Sequence, residues 1–277
     1  MNSTQRARFF TAAIVSLWLI ILIIPVLFTG ATSLKFTRDI MSGYFAFEPT
    51  LINYQRLFDG VRSDFLRLTI NSVISSSGTM VLVLLIAGPA AYSLAQFRWR
   101  AGAKSVITLW LLLVHLLPPI IFAAPLYLFA RSVGIYDTPA AVIVAHTLFN
   151  IPLGLWILQD GFAAVPPALR ESAMIDGASE LQTLWAVILP VVQGAISAAM
   201  ILVFLFSWKE FLLDLVLTST PNGMTVPIGI AGFVQEWRTE YGEMAAASLF
   251  AAVPAFVLVT DAQRHIVRGL TLGAIKG

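Results

Sequence analysis

The chain has 277 residues, of which 58% are hydrophobic and only 12% are charged. Because soluble proteins carry about 25% charged residues and could not bury so much apolar surface, we expect this chain to lie in a lipid bilayer. The formal net charge of +2 is too small for an electrostatic nucleic-acid binder, and the lack of cysteine excludes disulfides and thiolate metal sites.

Six uncharged apolar runs predict six transmembrane helices. About 20 apolar residues cross the roughly 30 Å hydrocarbon layer as a helix, and a backbone exposed to lipid must satisfy its own hydrogen bonds. The runs lack the short alternation of barrel strands. We therefore predict an all-α integral membrane protein with one transmembrane domain over 1–277 and a core at about 67–265. The predicted helices lie at about 9–34, 68–97, 105–130, 138–163, 190–218 and 244–264.

The basic residues of the loops predict the orientation of the bundle. Segment 97–104 carries three basic residues and no acidic one, whereas four acidic residues offset the basic residues of segment 35–67. Both termini are therefore predicted to lie in the cytoplasm. The first run is too long for the apolar region of a secretory signal, so we expect it to be retained as a helix.

The segment between the fourth and fifth helices, 165–190, is predicted to form a compact helix–turn–helix on the cytoplasmic face. Pro166 and Pro167 suit the start of a helix, and Gly177 is placed to end it. Ser179 can cap a second helical stretch that runs towards Pro190. Glycine suits the turn because it adopts positive φ without strain.

This segment resembles the EAA loop of ATP-binding-cassette (ABC) importer permeases. The family pattern is Glu-Ala-Ala, three residues, Gly, nine residues, Ile, one residue, and Leu-Pro, and the spacing here is the same. Val187 replaces the Ile, and Gly194 replaces a second proline, which predicts a weaker kink at the start of the fifth helix. Ser172 replaces the middle Ala. The residues to which the resemblance assigns ATPase coupling are Glu171, Ser172, Ala173, Asp176, Gly177, Ala178, Leu189 and Pro190.

The resemblance continues outside this loop. Segment 206–211 is similar to the Trp-Asn-Glu stretch of sugar permeases, with Lys209 in place of Asn, and Asp176-Gly177-Ala178 has the form common in the carbohydrate branch. The tail 268–277 is similar to the ending of maltose-importer-type permeases that are the second of a pair. The family fold that this implies is the type I ABC importer permease, a bundle of six transmembrane helices with cytoplasmic termini.

By this resemblance the chain is a permease subunit that moves a carbohydrate-type solute by alternating access in the plasma (inner) membrane of a prokaryote. The implied partners are a second, non-identical permease, two ABC ATPase subunits, an extracytoplasmic solute-binding protein and the lipid bilayer. The chain is expected to be no enzyme and to bind no cofactor, because ATP and Mg²⁺ belong to the ATPase subunits and the sequence has no Gly-Lys-Ser/Thr phosphate loop. No metal site is expected either, because the three histidines, His115, His146 and His265, are far apart in sequence. The alternatives are a non-sugar solute, such as an osmolyte or a phosphodiester, and a stand-alone secondary transporter.

Five polar residues within the apolar runs are candidates for the solute path or its gate. Such residues are costly in lipid and normally face the bundle interior or water. Lys209 has no acidic residue four positions ahead, so we expect it to bind another helix, another subunit or the solute. For the pair on the fourth helix we expect hydrogen bonds between helices, and lining of the solute path is the alternative. The five are Lys209, Glu210, Asp214, His146 and Asn150, and the last two share a helix face, as do the two acids.

The loop after the fifth helix, 219–243, is predicted to be an exposed turn followed by a polar stretch on the outer face. The turn is Pro221-Asn222-Gly223, and the polar stretch contains Glu236 and Arg238. By the resemblance this loop reaches into the solute-binding protein and helps to release the solute. A plain connection between two helices is the alternative.

Overall fold

The structure is a computed structural model that describes residues 3–43, 46–60, 63–100, 102–234 and 239–273, with side chains within 9–260. Glu236 and Arg238 of the predicted outer loop and residues 274–277 of the tail lie outside this range. In chain order the helices are α1 (Ser3–Ser33), α2 (Thr37–Ser42), α3 (Ile52–Phe58), α4 (Phe65–Gln96), α5 (Ala103–Leu116), α6 (Ile120–Ser132), α7 (Pro139–Ala163), α8 (Pro167–Ile175), α9 (Glu180–Gln182), α10 (Leu189–Val191), α11 (Gln193–Trp208), α12 (Leu212–Leu217), α13 (Val226–Ala231) and α14 (Tyr241–Gly273).

Four of the described helices are long and apolar enough to cross a membrane by themselves. They contain the spans Phe9–Ser33, Phe65–Gln96, Pro139–Ala163 and Tyr241–Thr260. Two bent pairs of helices raise the number to six if each pair forms one span. The prediction of an all-α membrane protein is confirmed, and the six apolar runs correspond to these four helices and two bent pairs.

The third apolar run is a bent pair rather than the continuous helix that we predicted over 105–130. Its two halves, α5 and α6, meet at 92°. Leu117 is extended, with φ −70° and ψ 133°, because the following Pro118 excludes the helical region for the residue before it. Two successive prolines also remove two backbone donors, so the helix ends here and a new one begins.

The fifth helix, predicted to run unbroken over 190–218, is broken twice. The chain between α9 and α10 forms a π-helical turn, Thr183–Ile188, which precedes Pro190, and a 79° bend follows before α11. Pro190 has no N–H to donate and its ring clashes with the preceding turn, which explains the irregular helix. Glycine at position 194 therefore does not straighten this region. The second break separates Trp208 from Leu212.

The chain divides into two compact units. One unit consists of residues 1–66 and 229–253. Within it, the Asn53 side chain donates hydrogen bonds of 2.9 Å to the backbone oxygens of Ser33 and Lys35, which holds α3 against the end of α1. The rings of Phe58, Phe65 and Phe250 contact each other edge to face, with centroids 5.1–5.8 Å apart.

The other unit consists of residues 67–228 and 254–277, and it contains both candidate sites. Its apolar core forms where α4, α7 and α11 pack together. Small residues allow this close approach: a Cβ added at Gly154 would lie 2.5 Å from Cγ1 of Val83, and one at Gly161 would overlap the side chain of Ala195. The residues of the core that are fully buried include Val83, Ala87, Ala91, Ile188, Ala199 and Val203.

Candidate functional site

Segment 165–190 forms the predicted helix–turn–helix. Helix α8 ends at Ile175, and Gly177, whose φ is +87°, forms the turn that follows it. The backbone N–H of Gly177 donates to the oxygen of Met174, and the N–H of Ala178 donates to the oxygen of Ala173, so both last carbonyls are satisfied. Ser179 then caps α9 in a reciprocal capping box with Gln182. Local sequence alone is sufficient for this geometry.

An ion pair closes this helix–turn–helix on itself. Arg170 donates two hydrogen bonds to the Glu180 carboxylate, 2.8 Å from Nε and 2.7 Å from Nη2. The hydrogen bonds with Glu180 raise the pKa of Arg170 further above its ordinary value, so the guanidinium stays charged. Tyr92 of α4 also donates to Glu180, and the guanidinium lies 4.7 Å from the ring centroid of Phe97. The ion pair therefore also joins the loop to the end of α4.

Most of the predicted coupling residues are exposed, but Ala173, Ala178 and Leu189 are partly buried, and Leu189 packs against the apolar core. The side chains of Glu171, Ser172 and Asp176 are exposed, and within the described residues Glu171 has no ion-pair partner. Large apolar side chains lie on the same exposed segment: Ile175 is 85% exposed and Trp185 is 67% exposed. An exposed surface that combines a carboxylate with large apolar side chains is typical of a protein–protein interface.

A second polar cluster is buried between α7 and the break that precedes α12. Nε2 of His146 lies 2.9 Å from Oδ1 of Asp214 and 3.4 Å from Oε2 of Glu210. On the other side of the ring, Nδ1 lies 2.7 Å from Oγ of Ser207. The side chains of His146 and Asp214 are each 1% exposed. The fourth and fifth predicted helices are thus joined by ionisable groups.

Glu210 also causes the second break in the fifth helix. Its carboxylate accepts hydrogen bonds from the backbone N–H groups of Leu212, Leu213 and Asp214, at 3.0–3.3 Å. These donors open α12 and would otherwise lack partners, so the carboxylate caps a new helix at this point. The two acids do not share a continuous helix face as predicted, but both carboxylates reach His146.

The other two candidates of the predicted solute path lie apart from the carboxylates. Lys209 is exposed and has no carboxylate within ion-pair distance in the described part of the chain; its amine lies 4.3 Å from the ring centroid of Phe206. Asn150 is buried and donates a 2.8 Å hydrogen bond to the backbone oxygen of His146, one turn earlier in α7. Asn150 therefore contacts its own helix rather than another one.

Hydrogen bonds with Asp137 and Asn71 anchor the first part of the loop after α12, although Ser219 and Thr220 are exposed. Asp137 accepts hydrogen bonds from the backbone N–H groups of Ser219 and Thr220 and from the Thr220 hydroxyl. Burial opposes ionisation of Asp137, but these hydrogen bonds outweigh it and lower the pKa of the carboxyl below its ordinary value. Asn71 binds three backbone oxygens of the same loop, and Gly223 packs against the backbone of Asp137. Of the predicted exposed turn, only Asn222 is exposed.

Several of these contacts were not predicted from the sequence. Arg170 and Glu180 have opposite charges and lie on either side of the Gly177 turn, and that placement was a usable signal for the ion pair. Ser207 and Thr225, which bind His146 and Asp214 respectively, gave no such signal, because single hydroxyl residues are common in membrane helices.

Comparison with known proteins identifies the class to which this chain belongs. Residues 85–271 match the family described as "Binding-protein-dependent transport system inner membrane component". The chain is 33% identical over 258 residues to the trehalose transport system permease protein SugB of Mycobacterium tuberculosis, which covers 92% of this chain and 93% of that protein. It is 32% identical over 232 residues to the trehalose/maltose transport system permease protein MalG of Thermococcus litoralis, covering 83% of each.

The fold is also similar to that of a solved transporter. A chain in the crystal structure of a bacterial ABC transporter involved in the import of the acidic polysaccharide alginate superposes with a TM-score of 0.78 at 17% identity. The match covers 95% of this chain and 98% of that chain. The apolar helices, the EAA-type loop and the sequence match agree: this chain belongs to the family of inner membrane components of binding-protein-dependent transport systems.

Proposed function

We propose that this chain is the permease subunit of an ABC importer for a carbohydrate-type solute, working with a second, non-identical permease. The complex contains two ABC ATPase subunits, which hold the ATP and Mg²⁺. The loop 165–190 is the contact of this chain with the ATPase, and a solute-binding protein binds on the opposite face. The protein lies in the inner membrane of a prokaryote with both termini in the cytoplasm. Transport proceeds by alternating access, and this chain carries out no hydrolysis.

The main support for this proposal is that the Glu171 carboxylate is exposed on the loop, where it can contact the ATPase. Glu171 stands on a helix that Arg170 and Glu180 hold rigidly to the end of α4, so a displacement of the loop is passed to a transmembrane helix. A carboxylate in this position can form a bidentate pair with an arginine of the ATPase, which resists both push and pull. The exposed side chains of Ile175 and Trp185 supply apolar area for the same contact.

The solute class is inferred from relatives. Proteins with 32–33% identity over most of this chain are named for trehalose and maltose transport, and a further one with 29% identity is a diacetylchitobiose uptake permease. These names support a di- or oligosaccharide. Binding of a panel of disaccharides, osmolytes and phosphodiesters to the partner solute-binding protein tests the class directly, and preference for either of the last two would overturn it.

Glu171→Ala in the reconstituted complex tests the coupling role. A solvated surface pair contributes about 0–1 kcal/mol, whereas removing one partner of a buried interfacial charge pair costs about 2–5 kcal/mol. We therefore expect the variant to lose most solute-stimulated ATP hydrolysis and uptake, with membrane insertion unchanged.

Glu48→Ala is the matched control, because Glu48 is also an exposed acid but lies outside the loop. It is expected to transport like the unmodified protein. Normal uptake by Glu171→Ala, with the ATPase bound in normal amount, would overturn the coupling role of this loop.

A further inference from the structure

The cluster of His146, Glu210 and Asp214 holds two carboxylates together, and within the described residues no lysine or arginine lies within ion-pair distance of either one. With a neutral imidazole the three side chains carry two negative charges, and Asp214 is 1% exposed. Buried carboxylates require a nearby cation, because the desolvation of an isolated charge is very costly. Lys209, the adjacent basic residue, has its amine against the ring of Phe206 and is exposed. It therefore does not supply that charge.

The contacts between the ring and the carboxylates are close but are not hydrogen bonds. Nε2 of His146 lies 2.9 Å and 3.4 Å from the nearest oxygens of Asp214 and Glu210, yet Nε2 and Oδ1 of Asp214 both lack an aligned hydrogen-bond partner. The carboxylate oxygens thus lie to the side of the direction in which Nε2 points. Ligands of a common ion have this arrangement, because each points its lone pair at the ion and not at its neighbour.

Other contacts orient each of the three groups. Ser207 binds the other ring nitrogen of His146, Thr225 donates to Oδ2 of Asp214, and backbone N–H groups bind Glu210. When Nδ1 donates to Ser207, the lone pair of Nε2 is free to bind an ion that lies between the ring and the two carboxylates. Metal-binding histidines in proteins almost always have such a donor contact on the second nitrogen, and their carboxylate ligands are likewise hydrogen-bonded.

We propose that His146, Glu210 and Asp214 form a binding site for one divalent first-row transition-metal ion of the Zn²⁺ type. One imidazole nitrogen and two carboxylate oxygens, all within 4.8 Å of one another, are a ligand set that suits Zn²⁺ or Mn²⁺. The ion neutralises the two carboxylates. It also joins α7 to the break between α11 and α12, and so ties together two helices that the proposed transport cycle would move.

The test uses the complex purified with its co-expressed partner subunits and dialysed against metal-free buffer. Zn²⁺ is added and the bound metal is measured by mass spectrometry. We expect about one zinc ion per copy of this chain beyond that bound by a complex containing His146→Ala or Asp214→Asn. His115→Ala is the matched control, since His115 is an exposed histidine on α5 that is 5.5 Å from the ring of Trp156, and it should retain the ion.

Two further measurements test the proposal even if His146→Ala or Asp214→Asn prevents the chain from folding. Ser207→Ala removes only the contact on Nδ1 and should weaken zinc binding about 10- to 100-fold. In the unmodified complex, Co²⁺ should give the absorption bands of a low-symmetry site, and Zn²⁺ should displace it. An unmodified complex that gives no Co²⁺ absorption bands, or a Ser207→Ala complex that binds Zn²⁺ as tightly as the unmodified one, would overturn the proposal and would leave a proton on His146 as the source of the positive charge.

Discussion

Arg170 and Glu180 form a two-point ion pair across the turn of the loop 165–190, with N···O distances of 2.8 Å and 2.7 Å. The two residues belong to the two different helices that Gly177 separates. The same guanidinium lies over the ring of Phe97 at the end of α4. The position of Glu171 in the proposed ATPase contact therefore depends on the ion pair of Arg170 with Glu180.

Arg170→Lys keeps the charge but loses the planar fork that binds both carboxylate oxygens and the stacking on Phe97. The pair is only partly buried, so we expect a loss of no more than about 1 kcal/mol in stability. We expect a larger effect on the coupling between ATP hydrolysis and transport, so that solute stimulates ATP hydrolysis only weakly. The check is solute-stimulated ATP hydrolysis in vesicles. Full coupling in Arg170→Lys would show that the planar fork is not needed, and full coupling in Arg170→Ala as well would show that the ion pair has no role.

Gly177→Ala should weaken coupling, whereas Gly194→Ala should not. A Cβ at either position meets no heavy atom within 4 Å, so neither substitution causes a clash. Only Gly177 has positive φ, +87°, where a Cβ costs roughly 1–2 kcal/mol. We expect Gly177→Ala to reduce solute-stimulated hydrolysis and crosslinking of the loop to the ATPase. Equal behaviour of the two variants would show that the turn conformation does not matter.

Asp137→Asn should loosen the start of the loop after α12. The substitution replaces a carboxylate oxygen that binds the Thr220 hydroxyl with an amide, at a cost of roughly 1–2 kcal/mol. Because the native pKa of Asp137 is lowered, its stabilisation is complete above the ordinary aspartate pKa of about 3.9 and is lost as the pH falls through the native value.

The melting temperature of the unmodified protein should therefore exceed that of Asp137→Asn by a few degrees at neutral pH. This difference should close in acid below about pH 4. Asp64→Asn is the control, because Asp64 is exposed and should melt like the unmodified protein at all pH values. A difference that persists unchanged in acid would exclude the carboxylate as its source.

Gly161→Ala should destabilise the bundle because its new methyl group would overlap Ala195 of α11. Overpacking of this kind costs about 1–3 kcal/mol. Gly88→Ala in α4 meets open space and should be neutral or slightly stabilising. Denaturation in mild detergent measures the difference. Equal stability of the two variants would contradict the close packing of α7 on α11.

The conformation of the loop 165–190 could be predicted from the sequence because it depends on residues that are near neighbours in the chain. Gly177 is placed to adopt positive φ, and Ser179 lies three residues before the Gln182 that completes its capping box. The apolar runs were likewise sufficient for the number of spans, because lipid forces each such run to satisfy its hydrogen bonds as a helix.

The break at 209–211 could not be predicted in this way, since no proline or glycine lies there. It depends on Glu210, whose carboxylate binds the backbone of α12 on one side and faces His146 on the other. His146 and Asp214 are far apart in sequence and meet only when α7 packs beside the fifth span. Helix formation in lipid is a local property of the chain, whereas the pairing of its few buried charges depends on which helix faces which, and only tertiary packing determines that.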